Sequence, residues 1–221
     1  MGLFRQTNIE KAAFGSPFSL AEFSNFKYDI MRYCFHHIPK TGGSTLKARL
    51  NHRASIGQID KFSYAIGHNI SVSTIGKHYT LLRNPLHRDI SHFNYDFNKK
   101  ENIANTFEES CNKMYGNFMV LWLYSNYLKQ STNIPIEEKY KQVQTILKNN
   151  FLKIFNADKF ENSWKEITKI LNIDVEPRLN SNLSNIDYNK IAKYENLSNK
   201  FKKWHKQYNQ YDYLLHEEFC T

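Results

Sequence analysis

The stretch CFHHIPKTGGSTLKARL, residues 34–50, decides the fold class of this chain. Together with Tyr33 it begins as the apolar and aromatic run YCFHHI, which is typical of a buried strand. PKTGGS interrupts the run, and Leu46 and Leu50 then lie four residues apart, as on one face of a helix. The stretch therefore predicts a strand, a glycine-rich turn and a helix, in that order.

Three more runs are strand candidates: FSYAIG at 62–67, HYTLLR at 78–83 and FLKIFN at 151–156. Helical patterns separate them and dominate the second half of the chain. Strands that alternate with helices favour a parallel sheet. We therefore predict an α/β fold with a P-loop-like parallel sheet flanked by helices, in one domain over 31–221 with a largely helical C-terminal half. Residues 1–30 are predicted to be an irregular leader.

Capping residues predict where two of the helices begin. Asn84 is a good N-cap, and Pro85 suits the first helical position. Asp158 precedes Phe160, Trp164 and later apolar residues at helical spacing, and it is predicted to cap that helix. His36 is expected at the surface or on a helix face.

Composition limits the classes of function. The 221 residues carry 30 Lys and Arg against 21 Asp and Glu, a net charge of +9 that attracts anions. The basic residues are scattered and form no nucleic-acid recognition motif, so no nucleic-acid partner is expected. The three cysteines have no metal-site spacing, and no metal is expected. They suggest a reducing compartment or inert buried thiols.

No segment of the sequence is predicted to anchor the chain in a membrane. The longest apolar run, FMVLWLY at 118–124, is too short to span a bilayer, and the first residues do not form a secretory signal. The chain is therefore expected in the cytoplasm, or in the Golgi lumen if it is a trimmed form of a eukaryotic protein.

The glycine-rich turn admits two interpretations. Gly42 and Gly43 allow close approach of the backbone, and the helix that follows presents N–H groups and a positive dipole end. Polar side chains surround the glycines: Lys40, Thr41, Ser44 and Thr45. The Walker pattern is absent, because here the lysine precedes the glycines. On these grounds an anion site and a plain structural turn remain equally open.

A second segment favours the anion site. YTLLRNPLHRDISHF also runs from a strand into a capped helix, with Arg83 at the end of the strand and Ser91 near the second helical turn. In a parallel sheet Arg83 and the first loop lie at the same carboxyl edge, where ligands bind. Arginine is well suited to phosphate, so the two segments together suit a ligand with two separated anionic groups.

HIPKTGGST (37–45) and LRNPLHRDIS (82–91) together resemble the two motifs of the sulfotransferases that use 3′-phosphoadenosine 5′-phosphosulfate (PAPS), most closely the carbohydrate branch. The resemblance covers most of 33–219, but only these two motifs are specific. Ser44 and Thr45 invert the commoner order of that motif, and Asn84 replaces the usual Asp. The hydroxyl groups and the helix cap are nevertheless kept.

The resemblance implies a role for each matched residue. The 5′-phosphosulfate would be held by Lys40, Thr41, Gly42, Gly43, Ser44 and Thr45, and Lys40 would also neutralise charge on the leaving oxygen. Arg83 and Ser91 would hold the 3′-phosphate. Arg178 and Asn180, in EPRLNSNLS, would contact the nucleotide from a loop later in the chain. The expected donor is PAPS, its product is adenosine 3′,5′-bisphosphate (PAP), and no metal is required.

The predicted catalytic base is His68. It follows Gly67 just past a strand, at the sheet edge that carries the anion loop, and histidine titrates near neutrality. A structural role is an equal alternative, because the chain has nine histidines.

The sequence leaves two other functions open, a P-loop-type small-molecule kinase and a non-enzymatic basic protein that binds polyanions. Two features count against the kinase: the lysine precedes the glycines of the turn, and no acidic residue is placed to bind magnesium. The family context implies an acceptor with a free hydroxyl, most often on a glycan. The sequence does not indicate the oligomeric state.

Overall fold

Four parallel strands form the sheet in the computed structural model, which describes residues 32–98, 106–128, 133–174 and 192–220. The strands are β1 (Tyr33–His36), β2 (Tyr64–Gly67), β3 (Lys77–Leu82) and β4 (Phe151–Asn156). Their order across the sheet is β2-β1-β3-β4, and every pair is parallel. The predicted leader, 1–30, lies outside the described residues.

Helices cover the sheet and connect its strands, except that a loop over 68–76 joins β2 to β3. Those within the described residues are α1 (Gly43–Ser55), α2 (Pro85–Asn98), α3 (Phe107–Lys113), α4 (Phe118–Leu128), α5 (Ile136–Asn150), α6 (Phe160–Leu171), α7 (Asn199–Tyr208) and α8 (Gln210–Cys220). This architecture confirms the predicted α/β class with a parallel sheet flanked by helices. The predicted cap of α2 is also confirmed, because Asn84 Oδ1 accepts the N–H groups of Leu86 at 3.1 Å and His87 at 3.4 Å.

Both faces of the sheet are buried, as a parallel sheet requires. Tyr79 and Leu81 of β3 face a cluster built by α1 and α6, which includes Leu50 and Trp164. Leu82 faces the other cluster, which α4, α5 and α8 supply. β3 therefore contributes buried apolar side chains to both clusters.

His36 and His78 form a buried pair on neighbouring strands, so the prediction that His36 lies at the surface is wrong. His36 Nε2 lies 2.8 Å from His78 Nδ1, and His78 Nε2 lies 2.9 Å from the Thr74 carbonyl. The carbonyl can only accept, so His78 carries its proton on Nε2 and accepts at Nδ1. Burial, with a smaller contribution from His78, lowers the pKa of His36 to about 3.

Acid is expected to destabilise the protein through His36. Its folded-state pKa lies below the unfolded value of about 6.5, so its contribution to stability is present above that value and is lost as the pH falls toward about 3. The expected slope is about 1.4 kcal/mol per pH unit between about pH 6 and pH 4. His36→Gln keeps an amide donor for His78 but cannot be protonated, so the pH dependence of the unfolding free energy, measured with urea, should be shallower in this variant by about that amount. Equal slopes in both proteins would contradict the assignment.

A buried ion pair fixes α2, the helix that carries Ser91. Arg88 pairs with Asp89, and its guanidinium lies 3.6 Å from the Phe118 ring centroid. Asp89 Oδ2 also lies 3.0 Å from His205 Nε2 on α7. Arg88 is only 2 % exposed, so it supports the packing of α2 and does not face solvent.

Candidate anion-binding site

The strand order creates a topological switch point between β1 and β3. After β1 the chain crosses to β2 on one side, and it then returns to β3 on the other side of β1. The connections that leave β1 and β3 therefore diverge, and α/β proteins bind ligands in the crevice that such divergence leaves. The loop after His36 and the turn after Leu82 border this crevice. The strand topology therefore places both predicted anion-binding segments at this crevice.

Two left-handed residues shape the loop between β1 and α1. Lys40 has φ 69°, and Gly42 has φ 86° and ψ 2°. Thr41 lies between them, fully buried, and donates its hydroxyl to the Ile38 carbonyl at 2.9 Å. Left-handed residues in such a turn direct successive N–H groups toward one point, an arrangement that binds anions. The Thr41 hydroxyl thus stabilises the loop itself.

The N-terminus of α1 presents backbone donors beside this loop. The first helical bond runs from the Leu46 N–H to the Gly42 carbonyl at 3.0 Å. The N–H groups of Gly43, Ser44 and Thr45 precede this bond, so they are the donors that the helix geometry leaves without helical partners. The first turn has no acidic residue, and Ser44 and Thr45 are exposed. The positive end of the helix dipole is therefore accessible to an anion.

The Lys40 side chain reaches from this loop to α2. Its Nζ lies 3.5 Å from the ring centroid of Tyr95, which is 45 % exposed. Tyr95 follows the half-buried Ser91 by four residues, so the two share one face of the helix. The structure thus brings Lys40 to the face of α2 that carries Ser91, which the sequence spacing alone does not predict.

Arg83 joins the two predicted segments. Its Nη1 donates to the Lys40 carbonyl at 3.2 Å, and its Nε lies 3.6 Å from Asp158 Oδ1. The side chain is 30 % exposed. Burial lowers the pKa of Arg83, while Asp158 opposes that effect. An arginine remains charged under these conditions, so a fixed cation lies directly beside the loop.

His68 lies at the end of β2, next to the same loop. Its Nδ1 is 2.5 Å from the His37 carbonyl, and its ring stacks on the His37 ring with centroids 4.2 Å apart. The carbonyl can only accept, so Nδ1 carries the proton, and in the neutral ring Nε2 holds the lone pair. This is the tautomer that a general base needs. Burial, then the nearby His68, Lys47 and Lys40 charges, lower the pKa of His37 to about 4, so His37 is neutral.

Gly43 is expected to be intolerant of a side chain. A Cβ at this position would overlap the His37 imidazole, which stacks on His68. We expect Gly43→Ala to lower the free energy of unfolding by about 1–3 kcal/mol, as overpacking does. Gly67→Ala is the matched control, because a Cβ there has no neighbour within 4 Å among the described residues. Thermal denaturation checks both, and equal melting temperatures would contradict this packing.

Asp158 does not cap its own helix, so that prediction is wrong. The N-cap of α6 is Lys159, which makes no side-chain cap bond, and a 3₁₀ turn over Ala157–Lys159 precedes it. The Asp158 carboxylate instead accepts the Asn84 N–H at 2.6 Å. Sequence analysis missed both Asp158 and Tyr95 as neighbours of the site. The position of Asp158 just after β4, at the carboxyl edge of the sheet, was the available signal.

Asp89, Cys111 and His205 bring potential metal-ligand atoms within 4.8 Å of one another. The two oxygens of Asp89 face Arg88 and His205, and the arginine adds a positive charge. Hydrogen bonding and ion pairing therefore account for Asp89 and His205 in this cluster, and the adjacent guanidinium disfavours a cation.

The predicted nucleotide contacts Arg178 and Asn180 lie outside the described residues. No helix within the described ranges is both long and apolar enough to cross a membrane. Comparison with known proteins yields no matching family model and no similar curated protein. The fold defines the chain as an α/β protein with a four-stranded parallel sheet.

Proposed function

We propose that this protein is a sulfotransferase that moves the sulfuryl group of PAPS to an acceptor hydroxyl. One observation carries the proposal: two cationic segments leave adjacent parallel strands at the switch point and touch, through the hydrogen bond from Arg83 Nη1 to the Lys40 carbonyl at 3.2 Å. A ligand at this point would meet positive groups from both segments. PAPS carries anionic groups at its 5′ and 3′ positions and suits that arrangement.

The residues present fit the donor. The N–H groups at the start of α1, with Lys40, Ser44 and Thr45, would hold the 5′-phosphosulfate, as helix N-termini hold phosphates. Arg83 and Ser91 would hold the 3′-phosphate. Arginine offers a planar fork for phosphate oxygens, and Ser91 lies on the helix face that Lys40 approaches.

Transfer would proceed by in-line displacement at sulfur. The acceptor oxygen forms a bond to sulfur while the bond from sulfur to the phosphate oxygen breaks, and PAP leaves. Lys40 and the helix N–H groups stabilise the negative charge that develops on the phosphate, which is the main electrostatic task of the site. His68 Nε2 accepts the proton of the acceptor hydroxyl. The acceptor class, a hydroxyl on a glycan, rests on the motif resemblance.

Calorimetry with PAP, AMP and magnesium ATP tests the donor site. We expect PAP to bind about 10–100-fold more tightly than AMP, because charge-assisted hydrogen bonds to the 3′-phosphate contribute about 1.5–3 kcal/mol. A preference for magnesium ATP would favour the kinase. Weak, strongly salt-dependent binding of all three would favour a polyanion-binding protein. Radiolabelled PAPS with a panel of glycan and small-molecule acceptors, followed by mass spectrometry of the products, then tests the reaction.

A further inference from the structure

The turn between β4 and α6 contacts both halves of the candidate site. The ring of Phe160, where this turn enters α6, packs on the anion loop so closely that a Cβ on Gly42 would lie 3.2 Å from a ring carbon. Two residues earlier, Asp158 faces the segment that follows β3. A single short turn therefore supports the loop of Lys40 and the strand end of Arg83 together.

The Asp158 carboxylate is the centre of this contact. It accepts the Asn84 N–H at 2.6 Å and lies 2.8 Å from His87 Nδ1 at the start of α2. His216 Nε2 of α8 is 3.4 Å away, and Arg83 Nε is 3.6 Å away. Burial alone would raise the pKa of Asp158, but the N–H groups of His216, His87 and Asn84 lower it well below its usual range. The carboxylate is thus ionised and surrounded by donors.

Arg83 is consequently held from two directions. Asp158 faces its Nε at ion-pair distance, and the Lys40 carbonyl accepts from its Nη1. A guanidinium is rigid and planar, so the hydrogen bond at Nη1 and the Asp158 charge beside Nε, which is 3.6 Å away and beyond hydrogen-bond distance, together favour one orientation of that plane. The side chain is 30 % exposed, which leaves part of that plane accessible from solvent.

We propose that Asp158 is a positioning residue that orients Arg83 for the 3′-phosphate and thereby sets the preference for 3′-phosphorylated nucleotides. This inference rests on the proposed function. Asp158 does not itself bind the ligand. It acts through Arg83.

The electrostatic sign makes the proposal testable. A carboxylate beside an anion site repels the anion, so its neutralisation should tighten PAP binding if charge alone matters. A positioning role requires the opposite result. Asp158→Asn keeps the size of the side chain and removes the charge, so the direction of the change separates the two roles.

The experiment is calorimetry of PAP and AMP binding to the wild type, Asp158→Asn, Arg83→Ala and the double variant. We expect Asp158→Asn to weaken PAP binding by about 5–50-fold, which lies within the range of coupling between residues in contact, and to leave AMP affinity within about twofold. In the Arg83→Ala background the Asp158 substitution should not change the ratio of PAP to AMP affinity. Asp158→Glu, which keeps the charge but moves it by one methylene, should also lower that ratio, and it serves as the test if Asp158→Asn does not fold.

Each outcome has a distinct meaning. A wild type that does not prefer PAP over AMP would reject the proposed function and this inference with it. If the wild type clearly prefers PAP over AMP and Asp158→Asn or Asp158→Glu keeps that preference, the inference alone is rejected. The same holds if the preference increases in Asp158→Asn. If the Asp158 substitution lowers the ratio of PAP to AMP affinity equally with and without Arg83, the inference is also rejected, because Asp158 would then not act through Arg83.

Discussion

Replacement of Lys40 with alanine is expected to lower sulfuryl transfer by about 10²–10³-fold, the cost of removing one preorganised group that stabilises developing charge. Lys40 lies in the loop that leads into α1. The first turn of that helix has no acidic residue that could neutralise the lysine charge. Alanine at φ 69° has the same unfavourable backbone as lysine, so the variant isolates the loss of the ammonium group. The measurement is the rate of transfer from radiolabelled PAPS.

Lys47→Ala is the matched control for this variant. Lys47 is exposed on the second turn of α1, and its charge acts on His37 as the charge of Lys40 does. Its removal therefore takes one positive charge from the surroundings of the site but no side chain from the loop. We expect the rate of transfer to change by less than about fivefold. Comparable losses of transfer rate in both variants would mean that only the general positive field matters. Near-normal activity in Lys40→Ala would exclude Lys40 from the mechanism.

Replacement of His68 with alanine is expected to lower turnover by about 10²–10⁴-fold, the typical contribution of a general base. The hydrogen bond from His68 Nδ1 to the His37 carbonyl leaves Nε2 as the acceptor, which is why the ring can take the proton of the hydroxyl. PAP affinity should stay within about twofold, because His68 makes no proposed contact with the donor. Single-turnover rates and calorimetry separate the two quantities.

Two observations distinguish a base from a structural residue at this position. Added imidazole should partly restore turnover in His68→Ala, because it can enter the vacated space and accept the proton. Asn69→Ala, at the neighbouring exposed position, should leave turnover unchanged. If imidazole gives no recovery and the melting temperature falls sharply, His68 contributes packing against His37 and Trp122 and the base lies elsewhere.

The sequence predicts the sheet well because each strand has a local signature. Apolar runs mark β1, β3 and β4, and the helical stripes between them require crossover connections, so the parallel arrangement follows. The location of the anion loop and of Arg83 at one sheet edge follows from the same rule, because the carboxyl ends of parallel strands meet there.

Contacts between distant segments limit what the sequence can predict. His36 resembles a surface residue until β3 places His78 beside it, 42 positions later in the chain. Asp158 has the local features of a helix cap, but the Asn84 N–H, 74 positions earlier, is its actual partner. The contact between Lys40 and Tyr95 likewise depends on the direction of α2. In each case tertiary geometry outweighs a local preference.

The left-handed backbone of Lys40 places two demands on a single position. Glycine or asparagine would adopt φ 69° more easily and relieve about 1–2 kcal/mol of conformational cost, yet neither supplies an ammonium group. Directed evolution for heat tolerance would therefore discard the lysine that directed evolution for turnover would retain. Such opposed selection would mark Lys40 as a residue kept for chemistry at the expense of the fold.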